Sequence, residues 1–331
     1  MMLLGHGMRV PVLGAFLAIG ATAAQAQSAG HDYPTRPIRI IVPFPPGGPA
    51  DMITRFVAQA LNEDWRVPVT VENRSGGNTT IGALAAARAA PDGSTLFVPM
   101  DTTMVLNPLL TPNLPYDPIA DFAPITLLSR NGALIVVRSD GPATINELLT
   151  KARAQPGKLN MGAGTITSRL GALLFAKAAG IDVQLVPFKG SAEISQAVLA
   201  GTVDFAFDST ATSLPLIQAG RYRALAKYTD QSLPILPDLP SLSAAADLPG
   251  LGESSTWIGL VAPAATPRGI LDKINGKVRA MFADPQTAAK LEKLGILAVA
   301  SDSPGDFGSF IRSELARWSK ALKETGPLKL D

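Results

Sequence analysis

One segment constrains the fold more than any other, because an apolar strand pattern runs there into a turn rich in proline and glycine. Residues 38–42 are mostly β-branched and favour a buried strand that ends before Pro43. Gly47 and Gly48 leave backbone N–H groups uncovered, and Pro49 suits the first turn of a helix, where no hydrogen bond is needed. The segment therefore predicts a strand, a turn and a helix start, an arrangement that suits a carboxylate or a phosphate.

Residues 1–26 have the features of an export signal. Arg9 is followed by the apolar stretch 10–24, and the ending at Ala26 fits the small-residue rule for signal peptidase. The stretch is too short for a comfortable membrane span, and no later segment is a long uncharged apolar run. The chain has no cysteine, which excludes a lipid-anchor thiol and a disulfide framework. We expect cleavage after Ala26 and a protein free in the periplasm.

The composition excludes several kinds of active site. The two histidines, His6 and His31, precede the predicted folded body, so His-based triads and His-ligated metal sites lack their central residue. Residues 162–167 lack the third glycine of a dinucleotide loop. With 29 Lys and Arg against 27 Asp and Glu, the chain has no basic excess for a nucleic acid. We expect no catalytic residue, no metal and no cofactor, and a small ligand.

Two runs of alternating strands and helices predict two doubly wound α/β domains with a ligand cleft between them. About 300 residues usually form two domains of ordinary size, and the Pro- and Asn-rich segment 107–122 reads as a loop. The predicted strands are 38–42, 69–71, 96–98, 125–128, 134–137, 159–161, 183–187, 203–207 and 257–261. The predicted helices are 49–61, 81–90, 145–154, 168–179, 191–199, 270–282, 286–294 and 306–325.

The last predicted strand returns to the first domain, so the chain crosses between the domains twice. The crossings are expected near 129–133 and 253–257. Domain 1 then comprises 32–130 and 256–331, and domain 2 comprises 131–255. The second domain repeats the architecture of the first without repeating its sequence.

Several motifs occur together in an order and spacing that are specific to one family. They are Tyr33-Pro34-x-Arg36-Pro37-Ile38, Val42-Pro43-Phe44-Pro45-Pro46-Gly47-Gly48 with Asp51, Glu72-Asn73-Arg74, Ala90-Pro91-Asp92-Gly93, Asn107-Pro108, Leu114-Pro115-Tyr116-Asp117-Pro118, Pro187-Phe188-Lys189-Gly190, Gly201-x-Val203-Asp204 and Trp257-x-Gly259-Leu260-x-Ala262-Pro263. Over nearly all of its mature length, the chain resembles the Bug-type, TctC-like periplasmic solute-binding proteins, the receptors of tripartite tricarboxylate transporters.

The resemblance implies a periplasmic binding protein-like fold of type II, whose two domains close on a carboxylated metabolite. It also implies a carboxylate held largely by backbone groups and ordered waters, between the glycine-rich first loop and its counterpart in domain 2. The implied partners are the membrane permease subunits of such a transporter. We expect a monomer.

The expected counterpart of the first loop is 162–169, where Thr167 or Ser168 would cap the next helix. Two helix N-termini would then face one anion, which their partial positive charge and unpaired donors can stabilise without a dedicated cation. Glycine turns also occur merely to reverse the chain, which is the simpler interpretation of either loop alone.

Two departures from the family pattern bear on the choice of ligand. Asn78, Thr79 and Thr80 replace a run of glycines, either as side-chain contacts to a second polar group or as a helix cap. Arg169 stands where the family often has histidine, either pairing with a second carboxylate or lying solvated at the surface.

Other candidates have two interpretations each. Asp208 follows a predicted strand, where α/β sheets bind ligands, but it would also suit fastening the next helix. Lys189 is a ligand contact or a solvated charge, and Phe44 and Trp257 are walls of the cleft or core residues. Asp51 would repel an anion, so we assign it to the helix start. The candidate ligand-binding residues are Phe44, Gly47, Gly48, Asn78, Thr79, Thr80, Gly164, Thr165, Thr167, Ser168, Arg169, Lys189, Asp208 and Trp257.

Three functions compete at this point. The first is a binding protein that captures an organic acid for a permease. The second is a sensor subunit that presents its ligand to a signalling receptor. The third is an enzyme acting on carboxylates, which ranks last because no nucleophile is paired with a base in the sequence.

Overall fold

The computed structural model describes residues 32–229, 232–248 and 255–325. The predicted export signal and part of the second predicted crossing lie outside these residues. Across the helices that are described, none is both long and apolar enough to cross a membrane.

The first part of the chain alternates strands and helices. Its elements are β1 (Ile38–Val42), α1 (Pro49–Trp65), β2 (Val69–Asn73), α2 (Thr80–Ala87), β3 (Thr95–Phe97), a π-helical turn (Thr102–Leu106), α3 (Asn107–Leu110) and the long β4 (Phe122–Arg138). The second run comprises α4 (Ile145–Ala154), β5 (Asn160–Ala163), α5 (Ile166–Ala179), β6 (Gln184–Pro187), α6 (Ser191–Ala200), β7 (Phe205–Ser209), α7 (Thr210–Gln218), β8 (Tyr222–Tyr228) and α8 (Leu242–Ala245). The chain ends with β9 (Ser255–Pro263), α9 (Arg268–Ala283), α10 (Pro285–Lys293) and α11 (Pro304–Thr325).

These strands form two sheets with the same strand order. The first sheet runs β2-β1-β3-β9-β4 and the second runs β6-β5-β7-β4-β8. In each sheet the first three strands pair with one another in parallel, and the remaining two pairings are antiparallel. The repeat of architecture that the sequence predicts is therefore present in the pairing. It brings the carboxyl ends of both sets of parallel strands to one cleft, the usual place for a ligand in open α/β sheets.

One strand belongs to both sheets. Residues 122–132 of β4 pair with β9, and residues 133–138 pair with β7 and β8. The sequence predicts two separate strands here, 125–128 and 134–137, and that prediction is wrong. Ser129, Asn131 and Gly132 interrupt the apolar pattern, but pairing with β9 continues the strand through them.

Three further differences concern local elements. The predicted loop 107–122 is preceded by the π-helical turn and begins with the short helix α3. The sequence pattern does not predict α7, β8 and α8, and the predicted start of α5 is two residues later than the observed start at Ile166. Since Thr165 accepts a hydrogen bond from the Ser168 amide, Thr165 and not Thr167 or Ser168 is the N-cap of α5.

Each sheet has its own apolar core, and the last helix completes the first one. Phe307 of α11 packs edge-on against Trp257, with ring centroids 5.7 Å apart. Ile166 and Leu170 of α5 join the same cluster from the second domain. The start of α5 is therefore packed against domain 1.

Candidate functional site

A cavity of about 350 Å³ lies between the two sheets at the carboxyl ends of their parallel strands. Domain 1 contributes residues 43–45 and 75–79, and domain 2 contributes residues 164–166, Arg169 and 188–189. Two smaller cavities of about 60 and 50 Å³ share Thr165 with it and extend it deeper into the cleft. Larger grooves, of about 730 and 810 Å³, lie elsewhere, and each is lined by one side of the molecule only. The cleft is the described cavity to which both domains contribute donors.

Asp51 stabilises the loop at residues 43–48 through hydrogen bonds, and this loop is called the first loop. Its carboxylate accepts hydrogen bonds from the Gly47 amide at 3.0 Å, from the Asn73 amide group at 2.9 Å and from Arg55 at 2.8 and 2.9 Å. Asn73 also donates to the Phe44 carbonyl at 3.0 Å. The assignment of Asp51 to the helix start is confirmed. The Gly47 amide, which the sequence offers to a ligand, is already occupied.

The same contacts keep Asp51 charged. Burial raises its pKa, but the hydrogen bonds from Arg55, Gly47 and Asn73 outweigh burial and hold the net pKa below its ordinary value. The carboxylate is 3% exposed and is turned into this network. Its negative charge is therefore neutralised within the loop and does not oppose an anion in the cleft.

Two helix starts face each other across the cleft without a side-chain cap. Gly48 is the N-cap of α1 and Gly190 is the N-cap of α6, and neither has a side chain to accept the first amide hydrogens. Both glycines, with Pro45, line the cavity of about 60 Å³. A Cβ on Gly190 would lie 3.7 Å from Pro45 Cδ, so the two loops are in close approach.

The start of α5, which the sequence predicts as the partner of α1, lines the cleft at residues 164–166, but part of its donor set is occupied within the loop. At the start of α5, the Gly164 amide donates to Ser168 Oγ at 3.1 Å and the Ser168 amide donates to Thr165 Oγ1 at 3.1 Å. These two donors are occupied inside the loop, whereas at α6 the N-cap Gly190 provides no side-chain cap and, among the described residues, only the preceding Lys189 amide is occupied, by Glu193 at 3.1 Å. The available signal was the motif Pro187-Phe188-Lys189-Gly190, in which glycine stands where a capping side chain is usual.

The loop before α2 is a third group of donors at the cavity. Asn78 and Thr79 line it, but Thr80 does not. Thr79 is the N-cap of α2, but its side chain makes no capping hydrogen bond to the helix. Its Oγ1 instead accepts from the side-chain Nδ2 of Asn107 at 3.2 Å. The side chains therefore do not act as the helix cap that the sequence suggested as an alternative.

Arg169 lies in the cleft and has no acidic partner among the described residues. Its Nη2 donates to the Phe188 carbonyl at 3.1 Å, while its buried Nε has no hydrogen-bond partner in the described part of the chain. Burial lowers the pKa of this guanidinium below its ordinary value. A half-buried cation beside a cavity, without an acidic partner, is suited to a second anionic group. Lys189 is exposed and stands at the same cavity.

Asp208 fastens α7. It is 3% exposed and accepts from Thr212 Oγ1 at 3.1 Å and from Ser213 Oγ at 3.0 Å. Burial raises its pKa, against the hydrogen bonds from these hydroxyls and from Ser191. Asp208 lines only the cavity of about 50 Å³. The arrangement favours the structural alternative stated for this residue.

The two aromatic candidates have different positions. Phe44 is half-buried and lines the cleft in two of its cavities. Trp257 is 0% exposed, because it is enclosed by Phe307 and Phe310 in the core of domain 1. Trp257 therefore does not form a wall of the cleft, and its selection as a site residue is wrong.

A buried hydrogen bond joins the domains behind the cavity. Thr167 Oγ1 of α5 donates to Asp101 Oδ2 at 2.5 Å, and both residues are 0% exposed. Thr167 therefore faces domain 1 and not the ligand cavity. Burial raises the pKa of Asp101 to about 7, even though the Thr167 hydroxyl and the Thr102 amide donate to it.

Comparison with known proteins agrees with this geometry. A family model described as the tripartite tricarboxylate transporter family receptor matches residues 53–327. The chain belongs to this receptor family. Receptors of the family are solute-binding proteins and not enzymes, so the expectation of a non-enzymatic protein is confirmed.

Individual relatives of the receptor cover almost its whole length. Protein BugT of Bordetella pertussis is 29% identical over 321 residues, which cover 95% of this chain and 96% of BugT. The structure of R. palustris Rpa4515 with adipate has a TM-score of 0.84 and 32% identity, and covers 88% of this chain and 98% of that one. MatC (Rpa3494) from Rhodopseudomonas palustris, with bound malate, has a TM-score of 0.79 and 29% identity, with coverage of 88% and 100%. The Bug-type resemblance and the two-domain fold are confirmed.

The Asp101 contact makes stability of the receptor depend on pH. Folded Asp101 keeps its proton up to about pH 7, whereas the unfolded carboxyl loses it near the ordinary value of 3.8. Between these values the folded state binds more protons, so the contribution of Asp101 to the free energy of unfolding falls as the pH rises. Asp101→Asn cannot titrate and still accepts from Thr167.

We therefore expect Asp101→Asn to gain stability relative to the wild type from pH 4 to pH 7, and the difference to level off above pH 7. Urea unfolding of both proteins at each pH measures it. A difference that is constant between pH 4 and pH 7 would contradict the buried, neutral state of Asp101.

Proposed function

We propose that the protein is a periplasmic receptor that captures a small organic carboxylate in the cleft and delivers it to the permease subunits of a tripartite tricarboxylate-type transporter. The observation that carries the proposal is the pair of uncapped helix starts, at Gly48 and Gly190, that face each other across the cleft. The family supports a periplasmic receptor.

The physical reason for a carboxylate lies in these helix starts. The first N–H groups of an α-helix have no acceptor within the helix, and the helix dipole adds partial positive charge there. A carboxylate supplies charged acceptors for both groups, directly or through ordered water, and this offsets the cost of removing it from water. An ester or an amide lacks the charge and leaves the donors poorly matched.

Arg169 supports a ligand with a second acidic group. Arg169 lines the cavity, its buried Nε has no hydrogen-bond partner, and it has no acidic partner in the described chain. The similar proteins Rpa4515 and MatC are solved with adipate and malate, which are both dicarboxylates. The proposed ligand shell comprises the two helix starts for one carboxylate, Arg169 for the other, and Phe44 and Thr165 as walls.

The two domains close over the ligand in this proposal. Residues 32–130 with 256–331 form one body and residues 131–255 form the other, joined through β4 and the chain entering β9. The mature protein begins after Ala26 and acts as a monomer. Strand crossings are the hinges because each domain holds half of the ligand shell.

Closure is testable in solution. We expect small-angle scattering to give a smaller radius of gyration with saturating adipate than without it, since the cleft narrows. Dimethyl adipate, which lacks both charges, is the matched control and should leave the radius unchanged. An identical scattering curve with and without an acid that calorimetry shows to be bound would contradict closure.

Ligand selectivity tests the site itself. We expect adipate to bind, hexanoate of equal chain length to bind more weakly, and dimethyl adipate not to bind. Arg169→Ala should cost about 1.5–3 kcal/mol for adipate, the usual worth of hydrogen bonds to charged groups. Hexanoate should lose less than about 0.5 kcal/mol, because it leaves Arg169 without a partner. Calorimetry on both proteins measures the four affinities.

Arg153→Ala is the matched control for this experiment. Arg153 also donates to a backbone carbonyl, that of Ala179 at 2.9 Å, but it does not line the cleft. The Arg153→Ala variant should bind adipate and hexanoate with the affinities of the wild type. Equal losses for adipate and hexanoate in Arg169→Ala would indicate damage to the loop, and equal binding of acid and ester by the wild type would overturn the proposed carboxylate site.

A further inference from the structure

The loop before α2 has an unusual backbone. Four consecutive residues, Gly76, Gly77, Asn78 and Thr79, have positive φ angles of 127°, 55°, 48° and 77°. Glycine adopts such angles without steric cost, but a β-branched residue such as Thr79 does so rarely. All four residues line the cavity of about 350 Å³. A conformation of this kind persists only where surrounding contacts hold it.

The open donors of this loop depend on that conformation. The amides of Thr80 and Ile81 donate back to the carbonyls of Gly77 and Gly76, at 3.0 and 3.4 Å. The amides of Gly77, Asn78 and Thr79 have no acceptor in the described part of the protein. The loop therefore presents donors at the cavity only while its left-handed turn is maintained.

One buried side chain contacts the middle of this turn. The side-chain nitrogen Nδ2 of Asn107 donates to the backbone carbonyl of Asn78 at 2.6 Å and to Thr79 Oγ1 at 3.2 Å. Its third neighbour is the Tyr116 hydroxyl at 3.2 Å, which in turn donates to the Thr103 carbonyl at 2.6 Å. Asn107 is 0% exposed, so these bonds are shielded from water.

The π-helical turn explains how Asn107 reaches the loop. The backbone N–H of Asn107 donates to the carbonyl of Thr102, five residues earlier. The turn therefore contains one residue more than an α-helical turn would. The extra residue rotates the following side chains by about 100° relative to a continuous α-helix. Thr102, at the other end of the turn, lines the same cavity. The turn thus connects the cavity wall with the support of the loop.

We propose that Asn107 is a positioning residue that holds loop 76–79 in its left-handed conformation and keeps the amides of Gly77, Asn78 and Thr79 directed to the ligand cavity. It acts through the loop and does not itself line the cavity. The proposal rests on the proposed function for the identity of the ligand as an acid. Whether Asn107 holds loop 76–79 in place does not depend on which ligand binds, and it is tested without a ligand.

The first test is amide hydrogen exchange by NMR in the protein without any acid. Asn107→Ala removes both bonds to the loop, and we expect the amides of Thr80 and Ile81 to exchange on the order of tenfold faster, in line with the loss of one or two hydrogen bonds. Amides of α9, in the same domain but away from the loop, should keep their rates. Asn107→Leu, of similar size and without a donor, should behave in the same way.

Thr103→Val is the matched control. The Thr103 hydroxyl lies on the same π-helical turn and is buried without a partner in the described residues, so its removal breaks no bond to the loop. Exchange at Thr80 and Ile81 should match the wild type in this variant. Unchanged exchange in both Asn107 variants, or equal acceleration in α9, would overturn the proposal.

The second test is binding. Among adipate, malate and hexanoate, the acid that raises the melting temperature of the wild type most is titrated into each variant. We expect about a tenfold loss of affinity for Asn107→Ala and Asn107→Leu and an unchanged affinity for Thr103→Val, measured at a temperature at which all three variants are fully folded. Faster exchange with unchanged affinity would overturn the role in ligand positioning. If none of the acids binds the wild type, the proposed function fails, while the exchange data still decide whether Asn107 holds the loop.

Discussion

The site depends on hydrogen-bond donors that the fold leaves without acceptors. Glycine at the N-caps of α1 and α6 provides no capping oxygen, so the first amides of both helices are open. The shared strand order of the two sheets brings these helix starts to the same cleft, because each follows a parallel strand at its carboxyl end. In the proposed function, one anion accepts from both helix starts at once.

Acids near the cleft are engaged in hydrogen bonds within the protein. Asp51 is the acid nearest to the first loop, and its charge is neutralised by Arg55, Asn73 and the Gly47 amide. Asp208 is enclosed by hydroxyls, and burial raises its pKa. Arg169, in contrast, lines the cavity with a buried Nε that has no hydrogen-bond partner in the described residues. Glu193, which lines the cavity between the two helix starts, accepts from the Lys189 amide at 3.1 Å. Arg169 has no acidic partner among the described residues.

Local patterns predicted much of this arrangement, and long-range packing decided the rest. The strand, turn and helix at 38–65 follow from β-branched residues, proline and glycine, and α4 begins and ends as predicted because its apolar spacing and Thr144 cap are local signals. The continuity of β4 depends on β9, which is more than a hundred residues away, and no local pattern records it. Trp257 was misplaced for the same reason, since its enclosure by Phe307 is set by the last helix. The role of α6 was missed because an absent cap is a weaker signal than the glycine-rich segment before α5.

A crystal structure of the protein with bound adipate would show where the two carboxylates of the ligand lie. We expect one carboxylate between the helix starts at Gly48 and Gly190, bound by their amides directly or through one water, and the other carboxylate within hydrogen-bond distance of Arg169. An acid bound in the groove beside β8, or by one domain alone with both helix starts solvated, would contradict this expectation.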